Sequence, residues 1–193
     1  MDVIALGEVL IDFTMQGADK DGYPLMQANP GGAPCNFLAA LSKYGVSTGF
    51  IGKVGNDAFG NMLKDTLEEI NVDTRGLVVS DDVFTTLAFV TIDENGERSF
   101  SFARKPGADE NLSFSECRLD LIDEAKVFHF GTLSLTGEPA REATKKAVQY
   151  AKDKGKLISF DPNLRLPLWE KPSDAKEAML FGLSKADVVK ISD

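Results

Sequence analysis

GGAPCNFLAALSKYG, residues 31–45, runs directly into VSTGFIGKVGNDAFG, residues 46–60. Two adjacent glycines stand before a run of helix formers, and a β-rich run follows the closing glycine. Glycines at the start of a helix let the backbone approach a ligand closely, and the free N–H groups of the first turn then point at polar oxygens. Asn36 falls one turn into that helix, with its amide directed toward the same space. Such a loop suits a polyol as well as an anion. Taken alone, Gly31, Gly32, Ala33 and Pro34 read equally well as a tight strand-to-helix turn with proline in the first turn. The string is not a Walker loop, because it lacks GxxxxGK(S/T), and the glycines of GKVGNDAFG are spaced wrongly for a dinucleotide fingerprint.

Outward from this stretch, β-rich runs alternate with helical stripes, the pattern of βαβ units that feed a largely parallel sheet. The strands are expected at VIALGEVLI (3–11), STGFIGKVG (47–55), AKVFHFG (125–131), KLISFD (156–161) and ADVVKIS (186–192). From Phe59, the positions Met62, Leu63, Thr66, Leu67 and Ile70 recur at spacings of three and four and predict a helix ending near Asn71. Pro139 opens a second helix whose stripe of Ala140, Ala143, Ala147, Val148 and Ala151 runs to Gly155, a natural C-cap. Small side chains along that stripe allow close packing on a sheet.

Two stretches depart from the rhythm. FTTLAFVTIDENGERSFSFAR (84–104) reads as two β-rich arms around Glu94, Asn95 and Gly96, an antiparallel hairpin inserted into an α/β chain. FTMQGADKDGYPLMQANP (13–30) is punctuated by glycine and proline and mildly β-like. Together, residues 13–30 and 83–104 predict a small sheet projecting from the body, with an apolar face that needs a ligand or a partner subunit beneath it.

A chain of 193 residues is within the range of one domain, and a hydrophobic fraction of 43% with 26% charged residues is ordinary for a globular protein. The net charge of −9 argues against a nucleic-acid or anionic-membrane surface, which would repel an acidic face at long range. Asp2 precedes the first apolar run, where a secretory signal would carry positive charge, and Cys35 and Cys117 are too few for a disulfide framework or a zinc site. Reduced thiols in a cytoplasmic protein are therefore expected.

Several residues outside the glycine loop carry chemistry. Asp12, just past the first apolar run, reads from the residues alone as a turn cap. Phe102 and Arg104 alternate on the second hairpin arm and share a face, which directs them to a ligand beneath, or else places a phenylalanine in the core and an arginine in solvent. Asn163 and Arg165, in DPNLR, follow a strand end, the usual ligand side of an open α/β sheet, and a guanidinium there matches phosphate or carboxylate. Asp161 with Pro162 reads as a turn former rather than a metal ligand, and His129, on an apolar strand, as a packed residue rather than a base.

The glycine string resembles the first signature of the ribokinase-like (PfkB) carbohydrate kinases, and GKVGNDAFG resembles the GxVGxDxFG that follows it in that family. GEVLIDF, FARKPGADENL, FHFGTLSLT and FDPNLRLPLW are similar to fructokinase segments of the family, in order and along essentially the whole chain. The resemblance implies a ribokinase-like α/β fold with a projecting β-sheet lid, and sugar contacts at Asp12, Gly31, Gly32, Asn36, Phe102, Arg104 and Arg165. It implies nucleotide or phosphate contacts at Asn163, Lys190 and Ser192. Many fructokinases carry Tyr immediately before the matching arginine, whereas this chain has Ala103. The activity implied is ATP- and Mg2+-dependent phosphorylation of a sugar, fructose first and 2-keto-3-deoxygluconate as a competitor, by a homodimer joined through the lid. A non-catalytic sugar-binding or dimerisation fragment is the alternative from another class. The family's catalytic aspartate lies in a GAGD motif, absent from these residues, and VVKISD resembles the start of a later motif broken off at residue 193. The expectation is the N-terminal part of one ribokinase-like domain, with no protein-held metal site and no catalytic residue of its own.

Overall fold

The computed structural model describes residues 1–92 and 98–191. Its main sheet has six strands, all parallel: β1 (Val3–Leu6), β4 (Thr48–Gly55), β5 (Val72–Ser80), β8 (Val127–Gly131), β9 (Leu157–Asp161) and β10 (Val188–Val189), in the order β10-β9-β8-β1-β4-β5. Parallel neighbours need crossovers, and the helices supply them: α1 (Ala33–Lys43), α2 (Ala58–Glu69), α3 (Leu119–Glu124), α4 (Ala140–Asp153) and α5 (Pro172–Lys185).

The strand period of two sends successive residues to opposite faces, and both faces are covered. Ile4, Leu6, Phe128, Phe130, Ile158 and Phe160 face one core with the alanines of α4, while Val3, Ala5 and Phe50 face another with Leu38 of α1 and Leu63 and Leu67 of α2. The small-residue stripe behaves as its sequence predicts: Ala140, Ala143, Ala147, Val148 and Ala151 are all buried. α5 also lies close, since a Cβ on Gly182 would fall 2.2 Å from Phe160 Cζ.

A second sheet of four strands has the order β3-β2-β6-β7, from β2 (Leu10–Ala18), β3 (Pro24–Gly31), β6 (Leu87–Ile92) and β7 (Arg98–Ala103). β2 pairs antiparallel with β3, β6 antiparallel with β7, and the two hairpins meet through a parallel β2–β6 pairing. Both stretches expected to project thus contribute, while the predicted turn at Glu94, Asn95 and Gly96 lies outside the described residues.

Three boundaries differ from the sequence reading. VIALGEVLI is not one strand: the chain bends at residues 7–9 and passes from the main sheet into the lid. A Cβ at Gly7 would meet Pro34 Cγ at 2.7 Å, so this bend sits against the helix entrance. β5 was not anticipated, because its buried residues Val72, Gly76 and Ser80 recur every fourth position and leave no alternation to read. ADVVKIS pairs only at Val188 and Val189. Among the described residues, no helix is long and apolar enough to cross a membrane.

Candidate functional site

The residues that follow the C-terminal ends of β1, β8, β9 and β10 meet the lid around a cavity of about 380 Å³. Glu8 and the bend after β1, Leu133 after β8, Asp161, Asn163 and Arg165 at the end of β9, and Lys190 after β10 make the body side. Asp12 of β2 and Phe100 and Phe102 of β7 make the lid side, and Gly32, Ala33, Asn36 and Phe37 enter from the start of α1.

The paired glycines serve two separate purposes. A Cβ on Gly31 would fall 2.2 Å from Asp12 Oδ2, and one on Gly32 would fall 2.5 Å from the Glu8 carbonyl oxygen. Gly32 also holds φ at 108°, a conformation that side chains rarely adopt. The first glycine therefore makes room for the carboxylate, and the second brings the α1 N-terminus onto the β1 bend. Asn36, one turn into α1, is exposed toward the cavity.

Asp12 is half-buried, and loss of solvent pushes its carboxyl above the ordinary range, with the positive charge of Arg165 acting in the opposite direction. Arg165 lies with its guanidinium 5.3 Å from the centre of the Phe100 ring and donates from Nη1 to the Leu164 carbonyl oxygen (3.1 Å). Phe100 stacks in turn on Phe102 at 6.3 Å, so the lid offers an aromatic wall with one cation laid against it. Asp161 forms the turn expected of it, its Oδ1 accepting the Asn163 N–H (3.0 Å), and its Oδ2 also accepts from Lys190 Nζ (3.0 Å). Asn163 holds φ at 37°, which aims this turn at the cavity.

Arg104 is placed differently from the sequence reading. Strand geometry ends at Ala103, so the rule that alternate residues share a face stops one residue short of it. The side chain, 4% exposed, turns into the body and ion-pairs with Asp109 (2.7 Å), while Nη1 donates to Thr136 Oγ1 (2.6 Å) and Nη2 to the Leu133 carbonyl oxygen (3.1 Å). Asp109 also accepts from Thr86 Oγ1 (2.5 Å). Arg104 does not line the Asp12 cavity, and its fork is occupied. Ser192 lies outside the described residues.

GKVGNDAFG acts at the lid root. Asp57 accepts the N–H groups of Phe59 and Gly60 at the start of α2, and its second oxygen accepts the Thr85 N–H (2.8 Å) at the base of β6. His129 stacks on Phe37 at 4.1 Å, and burial pushes it down to about 4, which leaves a neutral packing ring. The residues that sequence reasoning missed are Glu8 and Phe100. Glu8 is an acid inside an apolar run, and Phe100 stands two before Phe102 on the same strand face; both signals were present.

Residues 2–193 match the pfkB family carbohydrate kinases. "Probable fructokinase-3" of Arabidopsis thaliana is 45% identical over 193 residues, covering 99% of this chain and 56% of that protein. The crystal structure of fructokinase from Xylella fastidiosa superposes with a TM-score of 0.91 at 36% identity, covering 97% of this chain and 58% of that one. The same enzyme with bound ATP superposes with a TM-score of 0.90 at 35% identity, covering 97% of this chain and 60% of that one. The chain thus spans somewhat more than half the length of the relatives it matches.

Proposed function

The chain belongs to the pfkB family of carbohydrate kinases and has its ribokinase-like fold, and from that premise we propose that it forms the sugar-binding part of a kinase converting fructose to fructose 6-phosphate. The observation that carries this reading is the convergence of Asp12, Gly32, Asn36 and Arg165 on one cavity closed by an aromatic wall. A carboxylate takes paired hydroxyl donors, the α1 entrance offers N–H donors to hydroxyl oxygens, and the Phe100 and Phe102 faces cover the C–H surface of a sugar.

Phosphoryl transfer from ATP needs an aligned acceptor hydroxyl, charge stabilisation on the moving group and a proton acceptor. In our reading this chain supplies the first, and Lys190 and Asn163, at the β9–β10 side of the cavity, lie where a nucleotide phosphate would approach. No proton acceptor is assigned among the 193 residues, which contain no GAGD. In the same reading Mg2+ comes with the nucleotide and neutralises its phosphates. The exposed lid residues Met15, Tyr23, Leu25 and Phe84 are the surface we assign to a homodimer, and the free, buried Cys35 and Cys117 fit a reducing, cytoplasmic setting.

Calorimetric titration of the 193-residue chain with fructose, 2-keto-3-deoxygluconate and a panel of neutral sugars tests the substrate. Binding of fructose in preference to the rest is expected. Preference for the sugar acid would transfer the assignment to the competitor and make Arg165 its carboxylate partner, and binding of none would remove the sugar reading. A coupled ADP-release assay on the same chain is expected to stay at background, and turnover would overturn the absence of a proton acceptor.

A further inference from the structure

Glu8 is the deepest charged group around the cavity, 2% exposed, in the bend between β1 and β2. Its Oε1 accepts the N–H of Ala33, the first residue of α1, at 2.9 Å, while Oε2 is buried without a hydrogen-bond partner. The Glu8 backbone touches the same loop, through the carbonyl oxygen that a Cβ on Gly32 would strike. Gly32, Ala33 and Asn36 all line the cavity, so the carboxyl grips the element that faces the ligand.

We propose that Glu8 is a positioning residue of this cavity, holding the α1 entrance by the Ala33 N–H so that Gly32 and Asn36 meet sugar hydroxyls in a fixed geometry. The proposal rests on the sugar-binding reading of the cavity. A buried carboxyl with an unmatched oxygen adds little net stability, so the role assigned to it is to hold the loop.

The charged groups facing Glu8 bear on its ionisation. Asp109 opposes its charge, Arg104 favours it while committed to Asp109, and the Cys35 thiol of α1 is held neutral by burial and by Glu8 itself. Burial, with Asp109 adding to it, outweighs the Glu8 and Ala33 N–H groups and Arg104 and raises the carboxyl to about 7. The neutral acid accepts the Ala33 N–H and leaves no uncompensated charge. Above neutrality the carboxyl ionises, its Oε2 charge lacks a partner, and the bend takes up water or shifts. Loop order and sugar affinity are then expected to fall as pH rises through about 7.

Two measurements on the 193-residue chain test this. Fructose is titrated calorimetrically into wild type, Glu8→Gln and Glu8→Ala at pH 6 and pH 8.5. Gln keeps an acceptor without a charge, so E8Q is expected within about threefold of wild type at pH 6 and unchanged at pH 8.5, where wild type weakens about tenfold. E8A is expected to lose about tenfold at both. An E8Q profile that weakens in parallel with wild type, or an E8A variant that binds like wild type, overturns the proposal. The second measurement needs no sugar: the Ala33 amide resonance is expected to titrate near pH 7 in wild type, to be flat in E8Q and to lose exchange protection in E8A. An Ala33 amide that ignores pH and substitution overturns the proposal too. If wild type binds no fructose at any pH, the sugar reading fails and Glu8 is judged on the Ala33 amide alone. If E8A does not fold, E8Q and the wild-type pH profile decide.

Discussion

Arg104 and Arg165 each face an aspartate, and their surroundings separate a structural pair from a site. Arg104 is 4% exposed, and Asp109, Thr136 and the Leu133 carbonyl occupy its fork at 2.6–3.1 Å. Arg165 lies on an aromatic ring, bonds one carbonyl of the neighbouring residue, and acts on Asp12 by charge across a cavity of about 380 Å³. A charge whose hydrogen bonds are complete has none left for a ligand. The Arg104 pair therefore fastens the root of the lid to the body, and under the proposed function the Asp12–Arg165 pair is the one a substrate would complete. Asp57, which bonds Thr85 at the base of the other lid hairpin arm, belongs with the first group.

Breaking the closed pair should produce the largest effect. Arg104→Met leaves Asp109 buried and unpaired, and a loss of about 3–5 kcal/mol is expected in urea unfolding. Replacing both partners, Arg104→Met with Asp109→Leu, should recover most of that loss, since the cost arises from an orphaned charge more than from a missing attraction. The comparison breaks if R104M keeps its stability and loses sugar affinity instead, because Arg104 would then be the ligand's arginine.

The open pair should respond in the opposite sense. Asp12→Asn removes an acceptor of charge-assisted hydrogen bonds, and fructose affinity is expected to drop by about 10- to 100-fold, or roughly 1.5–3 kcal/mol. Stability should not fall with it. Burial raises the Asp12 carboxyl, so the native state binds its proton more tightly than the unfolded chain, and folding weakens as pH rises from the unfolded value through the raised native one. At neutral pH the carboxylate carries that penalty and Asn does not. D12N is thus expected to match or exceed wild type in urea at pH 7, and for wild type sugar affinity should fall on the acid side as Asp12 takes up its proton. A D12N variant that is both destabilised and fully competent to bind would make this pair structural as well.

The same contrast explains what the sequence could reveal. The alanine stripe of α4 and the alternation of β-rich runs with helices follow from periodicity, and the 84–104 hairpin from turn residues between two β-rich arms, local properties that one pass along the chain can read, whereas 13–30 reads only as mildly β-like. Asp12 and the glycine loop were recognisable because their motif resembles a family. Arg104 misled because the inference needed the strand to continue one residue beyond Ala103, a boundary set by tertiary contacts with Asp109 and Thr136. Glu8 went unnoticed although an acid in an apolar run is a signal, because its partner Ala33 is 25 residues away. β5 hid for a third reason: burial at every fourth residue resembles neither a helix face nor a half-buried strand.

The finest test of the open pair is Arg165→Lys, which keeps the positive charge facing Asp12 and removes the plane. If charge alone tunes Asp12, the acid limb of the sugar-binding profile should stay where it is in wild type. The guanidinium also lies against Phe100, at 5.3 Å from its centre, a contact that links the β9 loop to the lid wall. A lysine ammonium on a flexible stem holds such a position less firmly and offers no fork to a phosphate or carboxylate. Contacts of this type at accessible sites contribute about 0.5–1 kcal/mol, so a two- to fivefold loss of affinity for a neutral sugar is expected. The loss should be larger, about tenfold or more, for a ligand bearing a carboxylate, because bidentate geometry is then lost as well. Equal losses for fructose and for a sugar acid would show that Arg165 serves only to hold Phe100 in place, and would move it from the open pair to the architecture of the lid.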